Sequence, residues 1–361
     1  MRIALDHLPA VTHAPGVGRY ARELARALAA REDCPELVLS EVGPGERSQV
    51  HRLRGLEQCT RVSRVTRERW LQLRHRVLGR GVEAALPAVD LFHRTRPLLP
   101  ALGRVPMTLP IADLPAPGSP EEDALRRAAQ RAHGVVVFAE RLRPVLADRL
   151  GLDEARVHWT PVGSEHFERE RRTERAPVAG PPTVLVLGAV RRARRPELVL
   201  AALERLRRSV PEARLRLFGR EGDCAGSFRE QLARSPACDA VEWHAGEVED
   251  ELPEALAAAD VLLHLAEAES SPVTPLEALA AGAAVVAERL PAFEEALGTH
   301  ALWTDPDPAE IATRLEVALS TSREPEARTA RRTHAASFTW DRCAQATLAA
   351  WRGALAAGPP R

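Results

Sequence analysis

Short runs of β-forming apolar residues recur along the chain, separated by stretches with helical periodicity. They read RIALD, LVLS, DLFH, MTLPI and GVVVF in the first half, then TVLVLG, LRLFG, VEWH, VLLHL and AVVA in the second. A helix between successive strands must carry the chain back across the sheet, so this alternation predicts parallel sheets with crossover helices. At 361 residues the chain exceeds one small core and is expected to hold two α/β, Rossmann-like domains facing a central cleft. Residues 168–182 are charged and then rich in Pro and Gly, with no periodic apolar face, and read as a linker. The expected division is a first domain over 1–167, a second over 183–337, and a C-terminal helix and tail over 338–361. That helix, FTWDRCAQATLAAWRGAL, has no strand after it and must dock on a surface already built, the first domain.

The 50 basic and 50 acidic residues give a formal net charge of zero, hence no global attraction to nucleic acid, and anion binding must come from local clusters. The chain has no Lys, so every Arg is a candidate for duties that Lys often performs. Its five cysteines form no CxxC pair, which argues against a disulfide framework or a zinc site and fits a reducing cytoplasm. No apolar run approaches the length of a membrane span, so any membrane contact is expected to be peripheral.

In open α/β sheets ligands bind beyond the carboxyl ends of the strands, which directs attention to four segments. In APGVGRYARELARAL, Gly16, Gly18 and Ala21 match G-x-G-x-x-A, and Glu41 follows the second strand where a ribose-binding acid would stand. Nine residues, His7 to Pro15, separate Asp6 from Gly16, however, whereas a dinucleotide fingerprint holds its first Gly tight against the strand. The loop can still bring backbone N–H groups to an anion at the start of the helix near Arg19. In LGAVRRARRPEL, Gly188 is followed by Arg191, Arg192, Arg194 and Arg195, with Pro196 suited to the first helical position. Guanidinium groups at a helix N-terminus favour phosphate; Arg194 is the first choice and Arg195 the second.

In EAESSPVTPLEALAAG, Glu269 and Glu277 stand eight positions apart. Thr274 and Glu277 form T-x-x-E, so Glu277 is expected either to cap its own helix or to hold a ligand diol, while Glu269 has no such local duty. The fourth segment, residues 64–80, sets Arg64, Arg67, Arg74 and Arg76 beside Trp70, Leu71, Val77 and Leu78. It suits either a packed helix with a solvated face or one lying on an anionic membrane.

With these motifs in order, the chain resembles the retaining glycosyltransferases of family four, which have the two-domain GT-B fold. PGVGRY, DLFH, PMTLPIADL, ERLRPVLADRLGLDEARVHWTPVGSEHF, LGAVRRARRPELVLAAL, AADVLLHLAEAESSPVTPLEALAAGAAVV and FTWD carry the likeness across almost the whole chain, and the E-x7-E spacing is its most specific element. The resemblance implies hexosyl transfer from a nucleotide-diphosphate sugar to a glycan, lipid-linked or small-molecule acceptor. It requires no metal and no cofactor beyond the donor. It makes Glu269 the contact to the donor sugar, Glu277 to the ribose, and Arg194, Arg195 and the amides of Val273 and Thr274 to the diphosphate. Gly16 and Gly18 would face them across the cleft, with Arg19 and Asp113 on the acceptor side. The chain departs from the family at Ala112, where a histidine is usual before Asp113. It also departs at Ser270, Ser271 and Pro272 in place of Gly-Phe-Gly, and at Ala189 in place of Arg. Ala112 leaves open the alternative of a GT-B-fold binding or scaffold protein without turnover.

Overall fold

The computed structural model describes residues 1–12, 16–45, 54–98, 100–103, 105–112, 115–170, 180–245 and 251–358. Two compact units divide the chain: Met1–Gly163 with Thr339–Arg361, and Ser164–Phe338. Of the segment expected as a linker, residues 171–179 lie outside the described ones, and the short helix His166–Glu170 before it belongs to the second unit.

The first unit is built on a seven-stranded sheet of β1 (Arg2–Asp6), β2 (Glu36–Gly43), β3 (Thr60–Val65), β4 (Leu91–His93), β5 (Met107–Pro110), β6 (Gly134–Val137) and β7 (Val157–Trp159). Its order is β3-β2-β1-β4-β5-β6-β7 and the strands run parallel. Leu5 of the central β1 lies between Leu39 of β2 and His93 of β4. Parallel sheets need cover on both faces, which is why β1 and β6 are buried, near-continuous apolar runs. The segment read as one basic helix over 64–80 is divided: Arg64 and Val65 end β3, and the helix runs only from Glu68 to Leu78.

The C-terminal helix, Trp340–Ala356, packs on the Val17–Ala29 helix and over β5, β6 and β7. Thr339 caps it, its hydroxyl accepting the Arg342 N–H at 3.3 Å. Trp351 is fully buried and donates its indole N–H to His93 Nδ1 at 3.1 Å. Indole nitrogen can only donate, so His93 carries its proton on Nε2, which faces the Tyr20 hydroxyl at 3.0 Å. Burial pushes the His93 pKa down to about 3, and the ring is neutral at pH 7.

The second unit holds β8 (Thr183–Leu187), β9 (Arg214–Phe218), β10 (Val241–His244), β11 (Val261–His264), β12 (Ala284–Glu288) and β13 (Ala301–Thr304), in the order β10-β9-β8-β11-β12-β13. These strands are also parallel. Val184, Leu215, Val261 and Val286 meet Leu203, Ile311 and Leu315 in its main core, while Val190, Leu217 and Phe228 form a second cluster. Each such side chain contributes roughly 1.5–3 kcal/mol on burial. Ser164 donates its backbone N–H to the Phe338 carbonyl at 3.0 Å and its hydroxyl to that of Ala335 at 2.8 Å, tying the unit's two ends together.

Strand order reverses between β1 and β4 and again between β8 and β11. At such a point the following loops diverge and leave a crevice beyond the strand ends.

Candidate functional site

The reversal in the second unit lies between the loops that contain Arg194 and Glu269. After β8, Gly188 takes a φ of 121°, a conformation that strains any side chain. A short 3-10 turn, Arg192–Arg194, follows, and then Arg195 at φ 51°, ψ 50°, which begins the Pro196–Leu206 helix. Arg195 is the one non-glycine residue with positive φ among the described residues. Such a position costs a β-carbon-bearing residue roughly 1–2 kcal/mol.

The four arginines separate by environment. Arg191 and Arg192 are exposed. Arg195 donates its Nε–H to Glu288 Oε2 at 3.2 Å, and that oxygen also accepts the Ala266 N–H at 2.8 Å. It therefore braces the loop after β11 against the end of β12. Arg194 turns to the carboxylate instead, with Nη1 2.8 Å from Glu269 Oε2.

His264, the last residue of β11, completes this group; its Nε2 lies 2.8 Å from Glu269 Oε2 and 2.7 Å from Arg194 Nη1. The ring packs edge-on to Phe293 at 5.2 Å, and its Nδ1 has no partner among the described residues. A proton on Nδ1 would be a buried unsatisfied donor, so the network assigns it to Nε2, where it is donated to Glu269. Burial lowers the His264 pKa, and Arg194 lowers it further against the pull of Glu269. For Glu269, burial acts to raise the pKa, but His264 and Arg194 outweigh it and hold the carboxyl at about 2. The site thus presents an ionised carboxylate at pH 7 beside a guanidinium group.

Glu277 does not cap its helix. The helix spans Val273–Ala281 with Pro272 at the cap position and no side-chain cap, so Thr274 is already helical and cannot serve as an N-cap. Pro275 is accommodated in the first turn because its missing N–H would have had no partner there. For the same reason the amides of Val273 and Thr274 have no carbonyl partner within the helix. Glu277 is 2 % exposed and its Oε1 lies 2.5 Å from His166 Nε2. Neither His166 nor His264 was singled out from the sequence. His264 was legible in principle, as a polar residue closing the apolar run VLLH at a strand's carboxyl end.

In the first unit Gly16 begins the Val17–Ala29 helix with φ 69°. A β-carbon at Gly18 would come within 2.6 Å of the Pro9 carbonyl oxygen, so this glycine serves close packing of the Leu8–Val11 turn. Arg19 is buried in the first turn of the helix. Glu41 does not offer itself to a ribose: it is fully buried, 3.1 Å from His7 Nδ1 and paired with Arg61 at 2.9 Å. Ala112 is described, while Asp113 lies outside the described residues. In the second unit Asp307 accepts the N–H groups of Ala309 and Glu310 at 2.9 Å and caps the Pro308–Thr321 helix. None of the helices among the described residues is long and apolar enough to cross a membrane.

Residues 167–335 match the family described as "Glycosyl transferases group 1". That match falls within the second unit. Over 197 residues the chain is 32 % identical to a glycogen synthase of Bordetella bronchiseptica, covering 50 % of this chain and 38 % of that relative's length. The sucrose-phosphate synthase of Thermosynechococcus elongatus superposes with a TM-score of 0.71 at 17 % identity, covering 99 % of this chain and 100 % of that one. Anabaena HepE, in complex with UDP and glucose, gives 0.65 at 14 % identity over 98 % and 99 %. These structural likenesses extend over both units and establish the GT-B fold.

Proposed function

We propose that the protein is a retaining hexosyltransferase of family four that moves a sugar from a nucleotide-diphosphate sugar to a glycan, lipid-linked or small-molecule acceptor. The observation that carries this reading is the Arg194–Glu269 pair at the strand-order reversal of the segment that matches group 1 glycosyl transferases. Departure of a nucleoside diphosphate leaves negative charge on phosphate oxygens. On this reading Arg194, with Arg195 beside it in sequence, and the first-turn amides of Val273 and Thr274 would meet that charge. On this reading no metal or added cofactor is needed, because these groups already supply positive potential. Glu269, held ionised, accepts hydrogen bonds from the sugar hydroxyls, and Glu277 accepts those of the ribose diol. The second unit is the donor side. On the same reading the first unit is the acceptor side, with Gly16 and Gly18 assigned to the diphosphate and Arg19 and Asp113 to the acceptor. We place the reaction in the cytoplasm, where the five free cysteines stay reduced.

The test is a thermal-shift screen with UDP, GDP, ADP and dTDP, with and without EDTA, followed by assay of sugar release from the matching nucleotide sugars. A ligand at ~100 times its dissociation constant adds about 2.7 kcal/mol. A melting point that no diphosphate moves would refute the donor site. Ala112 favours a second reading, a GT-B-fold binding or scaffold protein; binding of a nucleotide sugar with neither hydrolysis nor transfer would select it.

A further inference from the structure

The Glu68–Leu78 helix leaves its apolar side uncovered. Of the nine large hydrophobic residues exposed among the described residues, five are Val65, Trp70, Leu73, Val77 and Leu78; Val77 is 71 % and Trp70 59 % exposed. Leu71 alone of the helix's apolar side chains is buried. At about 100° per residue, Leu73, Val77, Trp70 and Leu78 share an arc of ~140°. With Thr66, Leu71 and Arg74 they line a shallow groove of 430 Å³. The packed-helix reading of this segment is therefore not what the fold adopts.

The rim of that face is cationic. Arg67, Arg69, Arg76 and Arg80 are exposed, and the sequence has no acidic residue from Arg69 to Arg80. Arg69 and Arg76 project at the edge of the apolar arc, whereas Arg74 folds back to donate to the Gly81 carbonyl and fixes the end of the helix. A second copy of this chain is a poor occupant, because a two-fold interface sets the same patch against itself and would bring these arginines together. An anionic lipid surface complements both features at once, with acyl chains for the apolar arc and phosphate oxygens for the rim. The helix has 11 residues, too few to span a bilayer, so it would lie in the interface plane.

We propose that this face docks on an anionic phospholipid bilayer, with Trp70, Leu73, Val77 and Leu78 at the acyl boundary and Arg67, Arg69, Arg76 and Arg80 on headgroup phosphates. The inference stands apart from the sugar-transfer reading and can fail without it. The experiment is co-sedimentation of the full chain with phosphatidylcholine vesicles, with and without phosphatidylglycerol. It is run at about 0.05 M and about 0.5 M salt, which shortens the screening length severalfold. Binding is expected only to the anionic vesicles and is lost at high salt. Arg69→Gln and Arg76→Gln should each weaken it about fivefold. Leu73→Ser with Val77→Ser should weaken it at least about tenfold, with melting temperatures unchanged because the replaced groups are exposed. No sedimentation with anionic vesicles, or equal sedimentation with neutral ones, overturns the proposal. So does a dimer in sedimentation equilibrium that the Leu73 and Val77 changes dissolve. The UDP, GDP, ADP and dTDP thermal shift, measured on the same samples, reports separately on the donor site.

Discussion

Replacing Arg194 by Ala separates a ligand role from a structural one. The Arg194 and Glu269 side chains are 30 % and 13 % exposed, so solvent screens part of the pair. His264 still donates to Glu269 after the change, so we expect a loss of only about 1 kcal/mol of stability. In a unit of this size that moves the melting point by about 2–4 °C. The bound state is different. There the guanidinium is expected to make a charge-assisted hydrogen bond to phosphate, and its removal should cost about 1.5–3 kcal/mol, or about 10- to 150-fold in Kd. The assay is isothermal titration with whichever of UDP, GDP, ADP or dTDP gives the largest thermal shift, on the parent, Arg194→Ala and Arg191→Ala. Arg191 is exposed, so its removal should change stability by less than about 0.5 kcal/mol and leave affinity nearly intact. If Arg191→Ala weakens binding as much as Arg194→Ala, the assignment of the phosphate ligand is wrong. If Arg194→Ala lowers the melting point but leaves affinity unchanged, the arginine serves only to pair Glu269.

Glu269→Gln should leave affinity for the sugar-free diphosphate intact and lower transfer about 100-fold, the scale of a lost transition-state contact, whereas Glu277→Gln should weaken diphosphate binding itself; the reverse pattern, in titration and turnover assays, defeats the division of roles. His93 has a folded pKa of about 3, below its unfolded value, so below pH 6.5 the unfolded chain binds the extra proton and stability falls by about 1.4 kcal/mol per pH unit. Urea unfolding at pH 7, 5.5 and 4.5 should show that slope, and His93→Gln should flatten it; His264 contributes in the same direction, while Glu269 adds its loss only as pH drops from about 4.5 toward 2. Arg195→Ala keeps the left-handed backbone strain and loses the bond to Glu288, while Arg195→Gly loses the bond but relieves the strain, so the glycine variant should be the more stable of the two by about 1 kcal/mol in thermal melts.

The ten apolar runs visible in the sequence correspond to β1, β2, β4, β5, β6, β8, β9, β10, β11 and β12. The strands not anticipated, β3, β7 and β13, all lie at sheet edges. The reason is physical: a central parallel strand must be apolar on both faces, and an edge strand need not be. TRVSRV in β3 is exposed over most of its length, and VHW in β7 has three residues, too few to show a period. The T-x-x-E signature misled for a related reason. It is a statement about spacing, and the same spacing arises when the helix starts one residue earlier than Thr274 and the glutamate turns to a partner elsewhere. Pro272 and Pro275 bracket the first turn, and either could have marked the start.

The E-x7-E spacing located the carboxylates, but their partners come from distant segments, Arg194 from the loop after β8, His264 from β11 and His166 from the unit's first helix. What those partners do depends on a geometry that spacing does not encode. Arg194 Nη1 and His264 Nε2 are 2.7 Å apart, and both are donors once the proton is assigned to Nε2. They cannot bond each other, and only Glu269 Oε2, within 2.8 Å of each, makes their approach favourable. Two donors therefore share one acceptor oxygen. A phosphate oxygen offered to the guanidinium would supply a second acceptor, draw Arg194 from the crowded oxygen and leave Glu269 to His264 and to sugar hydroxyls. On the proposed reading the guanidinium would exchange its bond to Glu269 for one to phosphate, which is why Arg194→Ala should cost little in the free protein and much in its complex.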